Sequence, residues 1–165
     1  MKTGKGLHQG LLKVADDLLH MNKRRSQEAH LRRALSSIYY ALFHFLAQSC
    51  ADSFIGTQGA KNRSHKAWQQ VYRALDHGAA KNACEAAKNM NFPQSIKKYA
   101  SLFVEYQKKR HDADYNPYAN TENDGFTKAD ILDMIDQAEK AIEGMKTASP
   151  SDLKAFAAFI LLKKR

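Results

Sequence analysis

Six consecutive residues, Arg110-His111-Asp112-Ala113-Asp114-Tyr115, gather groups that can hold a phosphate or move a proton. Arg110 is the most informative of them. Ile96, Tyr99, Phe103 and Tyr106 recur in steps of three and four, and continuing that stripe lands on Arg110. A guanidinium in phase with a buried helix face demands a partner, because an unpaired buried charge is expensive. A carboxylate from a neighbouring helix would satisfy it, as would snorkelling at the helix end. A phosphate-binding groove is the functional alternative.

A second polar line, Arg33, Ser37, Tyr40 and His44, has spacings of four, three and four, which puts the four on one helix face. Either the tyrosine and histidine fill a seam between helices, or this line and the Arg110 region are two walls of one groove. Further along, His65, Trp68 and Tyr72 interleave with Lys61, Arg63, Lys66 and Arg73. Such mixing suits a surface that stacks bases and neutralises phosphates, and equally suits a solvated helix face. Metal chemistry finds little to stand on. No Glu-x-x-His occurs, and Cys50 and Cys84 form no CxxC pair. The His111-Asp112 dipeptide lacks partners at spacings that favour an HD-type phosphohydrolase, which stays a distant alternative. Neither metal nor cofactor is expected.

The stretch Arg33-Ala34-Leu35-Ser36-Ser37-Ile38-Tyr39-Tyr40-Ala41-Leu42-Phe43-His44 resembles the long-helix signature of prokaryotic HEPN domains. Ser64-His65-Lys66 and the Arg110–Tyr115 run follow in the corresponding order. The resemblance covers roughly residues 27–115 and extends toward 146. It implies an up-and-down helical bundle that often dimerises. It also implies a metal-independent ribonuclease of a defence or toxin–antitoxin system, or a non-catalytic module that holds RNA, a nucleotide or a protein partner. An antitoxin or a nucleotidyltransferase is the partner that such systems supply. Catalytic members carry an arginine followed, after four to six residues, by histidine. Arg110 matches the arginine, but Tyr115, Asn116 and Pro117 occupy the histidine positions.

Cleaving RNA without a metal needs a base for the 2′-hydroxyl proton and an acid for the leaving oxygen, tasks that suit imidazole. On this resemblance Arg110 would hold the scissile phosphate and Tyr115 would assist from the histidine position. Asp114 would orient one or the other, and His111 or His44 would supply an imidazole. Arg33, Ser37, Tyr40 and His44 would line the opposite wall, with His65 and Lys66 contacting RNA. Two chains pairing through the groove would make one composite site.

Helices must position these groups. Leu11, Val14, Leu18 and Met21 mark one over 7–22, and Leu31, Leu35, Ile38, Leu42 and Phe45 mark a long one over 27–54. Residues 53–62 read as a loop. Ser64 begins a helix through about 77, and 78–91 reads as a short helix and a turn. Pro93 opens the helix carrying Arg110, which stops before Pro117. Residues 116–126 read as a loop. Thr127 with Asp130 starts a helix bearing Ile131, Ile135, Ala138, Ile142 and Met145, and a last helix spans 152–164. The expectation is an all-α bundle of about five or six helices over 1–148. The segment 149–165 packs on it or at a dimer contact.

Composition agrees. With 165 residues, 44% hydrophobic, one domain can bury a core, while eight glycines and three prolines are too few for a strand-and-turn fold. Nothing reaches the ~18–20 apolar residues of a membrane span. The lysine-bearing start lacks the apolar core of a secretory signal, so the reduced cytoplasm is expected. The net charge of +9 is uneven: residues 1–33 hold eight basic and three acidic groups, 61–99 eight and two, and 119–150 three and seven. A polyanionic partner such as RNA would meet the first two segments.

Overall fold

The computed structural model describes residues 6–21, 27–119 and 126–162. Among these residues there are seven helices and no strand: α1 (Leu7–Leu19), α2 (Gln27–Ile55), α3 (His65–Arg73), α4 (His77–Ala87), α5 (Gln94–Tyr115), α6 (Lys128–Lys146) and α7 (Pro150–Leu161). The fold is an all-α bundle.

Its axis is α2, which packs against α1, α3, α5, α6 and α7. Leu31, Ala34, Leu35, Ile38, Tyr39, Ala41, Leu42, Phe45, Leu46, Ala47, Cys50 and Ala51 are all buried, so more than one face of α2 is apolar. A helix apolar on several faces belongs at a bundle centre. On α5, Ile96, Tyr99, Phe103 and Tyr106 are buried as their spacing predicts. The two tyrosines satisfy their hydroxyls inside: Tyr99 donates to the Leu42 carbonyl at 2.5 Å, and Tyr106 lies 3.3 Å from both the Met134 carbonyl and Gln137 Oε1. On α6, Ile131, Ala138, Ile142 and Met145 are buried and Ile135 partly so. Phe156, Ala157 and Ile160 carry α7 into the core beside α2 and α4.

Two helix starts follow the sequence closely: Ser64 Oγ accepts from the Ala67 amide, and Thr127 and Asp130 form a reciprocal capping box. Three other expectations need correction. Val14 and Met21 are 46% and 50% exposed; α1 buries His8, Leu12, Ala15 and Leu19 instead, a face rotated from the one with the larger side chains. The helix begun by Ser64 does not run to 77. Asp76 accepts from the Ala79 amide and starts a new helix at His77, which raises the count to seven. The last helix begins at Pro150 rather than 152, with Ser149 as its cap and Pro150 in its first turn. Asn22, the loop residues 120–125 and residues 163–165 lie outside the described residues.

Candidate functional site

The site forms where α3, α4 and α5 meet the middle of α2. Helical spacing places Tyr39 with Phe43, and Tyr40 with His44, one turn apart on α2. Arg110 reaches them from α5. Its side chain is 12% exposed, with Cζ 5.1 Å from the Tyr39 ring centroid and 5.9 Å from that of Tyr40. These are cation–π distances. Arg110 Nη1 lies 3.4 Å from Asp114 Oδ2, one turn further along α5. The other oxygen of that carboxylate accepts from Ser36 Oγ of α2 at 2.5 Å. Asp114 thus ties the guanidinium to the central helix.

Burial opposes the charge of Arg110. The hydrogen bond with Asp114 and the neighbouring phenols and carboxylate outweigh it, so the guanidinium pKa is raised. Arg110 Nε is buried without a partner. Its Nη1 makes a long hydrogen bond to Asp114 and the guanidinium also interacts with the Tyr39 hydroxyl, which leaves part of its donor set for an anion.

A row of rings leads away from Arg110. Tyr40 lies 6.3 Å from His44, His44 lies nearly parallel to Tyr72 with centroids 6.0 Å apart, and Tyr72 stacks on Trp68 at 5.0 Å. Arg63 closes the far end, its Cζ 5.2 Å from the Trp68 ring. All four rings are partly exposed. The far end is anchored: Trp68 Nε1 donates to Asp52 Oδ1 at 2.8 Å, and Arg63 Nε donates to the Gly56 carbonyl at 3.0 Å. Gly56 adopts φ +100°, a backbone position that favours glycine.

Two histidines border the row. His44 Nδ1 lies 2.6 Å from the Tyr72 hydroxyl, and His77 Nδ1 lies 2.6 Å from the Tyr39 hydroxyl. His77, the first residue of α4, stacks on Phe43 at 3.9 Å and meets Tyr40 edge-on at 5.8 Å. Gln107 of α5 donates to the His77 carbonyl at 3.0 Å, fixing this helix start on α5. Burial lowers the pKa of His44 below its ordinary value; burial and then the charge of Arg110 do the same for His77. Both environments therefore favour the neutral imidazole.

The structure brings Arg110, Asp114, Tyr40 and His44 into one cluster. Arg33 is exposed and Ser37 partly buried; their neighbours Arg32 and Ser36 make the contacts with α5. Arg32 donates to the carbonyls of Ala113, Asn116 and Pro117 and pairs with Glu28. His65 and Lys66 stand exposed at the start of α3. His111 and Tyr115 are exposed with their rings 4.9 Å apart, and Tyr115 keeps 67% of its exposure. Sequence reasoning passed over Tyr39 and Ser36, which lie within the quoted α2 run, and gave His77 no place in the groove. An Asp-His step at a helix start was the only local signal for His77.

Among the described residues, no three His, Cys, Asp or Glu side chains converge as metal ligands. Cys50 and Cys84 are free and buried, and burial pushes both thiols up to about 12. No described helix is long and apolar enough to cross a membrane. A separate cleft of about 1040 Å³ lies by Gly6, the end of α2 and the start of α7, away from the Arg110 cluster. The chain was compared with protein-family models, curated proteins and solved structures, and none matches it.

Proposed function

We propose that the chain is a HEPN-like, metal-independent endoribonuclease of a prokaryotic defence or toxin–antitoxin system, acting in the cytoplasm. One observation carries this reading: Arg110, held by Asp114 against Tyr39 and Tyr40, stands at one end of a partly exposed row of rings with Arg63 at the other. A single-stranded RNA fits such a surface, its phosphates drawn to the arginines and its bases to ring edges and faces. Arg110 would hold the scissile phosphate and stabilise the charge that builds as the 2′-oxygen attacks. Asp114 holds Arg110 in place. Tyr115 and His111 form an exposed pair near the end of the same helix and would contact the flanking nucleotide. The basic excess would speed RNA encounter, and a second copy or an antitoxin would complete or block the groove.

A second reading is favoured by Tyr115 itself. Where catalytic HEPN members carry histidine, this chain has an exposed phenol whose ring partner is His111. A module that binds RNA, a nucleotide or a partner without cutting would be built this way.

Incubating the pure protein with mixed-sequence single-stranded RNA in EDTA separates the two. The ribonuclease yields fragments ending in 2′,3′-cyclic phosphate. Intact RNA that still binds selects the module in its RNA-binding form, and RNA neither bound nor cut removes both RNA-directed readings.

A further inference from the structure

We infer that His77 and His44 are the proton-transfer pair of the Arg110 site. One would take the 2′-hydroxyl proton of RNA, and the other would protonate the departing 5′-oxygen. This rests on the ribonuclease reading above and supplies the imidazoles missing from positions 115–117.

The argument begins with what the reaction needs. A phosphate clamp and two proton carriers must surround one phosphodiester. Three groups of those types stand around a single ring, Tyr40: Arg110 at 5.9 Å, His77 at 5.8 Å and His44 at 6.3 Å. Phe43 also contacts both imidazoles, at 3.9 Å and 5.6 Å, so they are neighbours across one side chain. They come from different helices, α2 and α4, and each is held the same way. A phenol hydroxyl engages Nδ1, Tyr72 for His44 and Tyr39 for His77. Among the described residues the hydrogen bonds of both rings are made at Nδ1, which leaves Nε2 as the nitrogen for substrate. Phenols that fix one ring nitrogen and leave the other free are what oriented proton carriers require.

Chemically the step balances without water or metal. The 2′-oxygen forms a bond to phosphorus as the bond to the 5′-oxygen breaks. One imidazole gains a proton and the other loses one, leaving a 2′,3′-cyclic phosphate and a 5′-hydroxyl. Solvent exchange then restores both rings.

His77 faces Arg110 from α5, His44, Tyr39 and Tyr40 from α2, and Asp76 beside it; His44 faces Tyr72 of α3, Tyr40 and His77. Both histidines are depressed below the ordinary 6.5, so the protonated partner is scarce at alkaline pH. Cleavage should quicken as pH falls from about 8 toward 6.5, the limb on which an imidazolium acid forms.

The test is single-turnover cleavage of single-stranded RNA in EDTA by His77→Asn, His44→Asn and the double variant. Asparagine keeps a polar group near the Nδ1 position but has nothing at Nε2. Each single variant should lose about 100-fold or more in rate with RNA affinity changed less than about twofold. His77→Ala should regain part of its rate with added free imidazole, while circular dichroism reports folding. If the wild type cleaves, Arg110→Ala does not, and folded histidine variants match the wild type, this inference falls and the ribonuclease stands. A wild type that binds RNA without cutting it overturns both.

Discussion

Individual side chains decide what this molecule can do, and the sequence exposes some of them better than others. The phase of Arg110 was legible because a helical stripe fixes direction to within about one residue. Arg32 and Ser36 show the limit of that precision. They adjoin Arg33 and Ser37, and a single step turns a helix position by about 100°. Which neighbour meets α5 depends on how the two helices dock, which no local pattern encodes. His8 is a different case. It is 6% exposed, edge-on to Phe45 at 5.3 Å, with both ring nitrogens buried and unpartnered. Unsatisfied buried polar groups cost about 1–3 kcal/mol, so His8→Leu should stabilise the fold by about 1 kcal/mol. Urea denaturation would register this as a higher midpoint with unchanged slope, and a lower midpoint would contradict it.

At the scale of elements, helix starts with Ser or Thr caps were readable, because a hydroxyl accepting from the third residue is a local event. The division between α3 and α4 was legible but its place was not: α3 ends at Arg73 and not near 77, because the apolar stripe continues to Leu75 past the end of the helix. The rotated face of α1 was also hidden. Ala15 and His8 are poor markers of burial, yet α2 packs closely on that side. The site depends on the α2–α5 pairing, and Arg32 holds its far end by donating to three carbonyls at the close of α5. Hydrogen bonds involving a charged donor are each worth about 1.5–3 kcal/mol net. Arg32→Ala should therefore cost about 2 kcal/mol and loosen the last turn of α5 before the rest. Hydrogen exchange should show faster amides near 112–116, with the amides of α6 unchanged.

For the whole molecule, pH and charge act together. His8, His44 and His77 all have pKa values lowered from 6.5, in each case chiefly by burial. Below pH 6.5 the unfolded chain takes up protons that the fold resists, so stability drops as pH falls. Well above that value, by about pH 8, the three imidazoles are neutral in both states and contribute no slope. Thermal melts should thus show Tm falling between about pH 7 and pH 5, and less steeply in His8→Leu. The all-α class was legible throughout, from helical periodicity and the scarcity of glycine and proline. The assembled ring row was not, because it joins α2 and α3, whose packing angle is set by the core.

Cleavage of a defined single-stranded RNA in EDTA, compared between the wild type and Arg110→Ala, reaches the centre of the proposal. The wild type should release 2′,3′-cyclic phosphate ends, and Arg110→Ala should be slower by about 100-fold or more. Equal rates in the two proteins, or RNA that binds and stays whole, would contradict it.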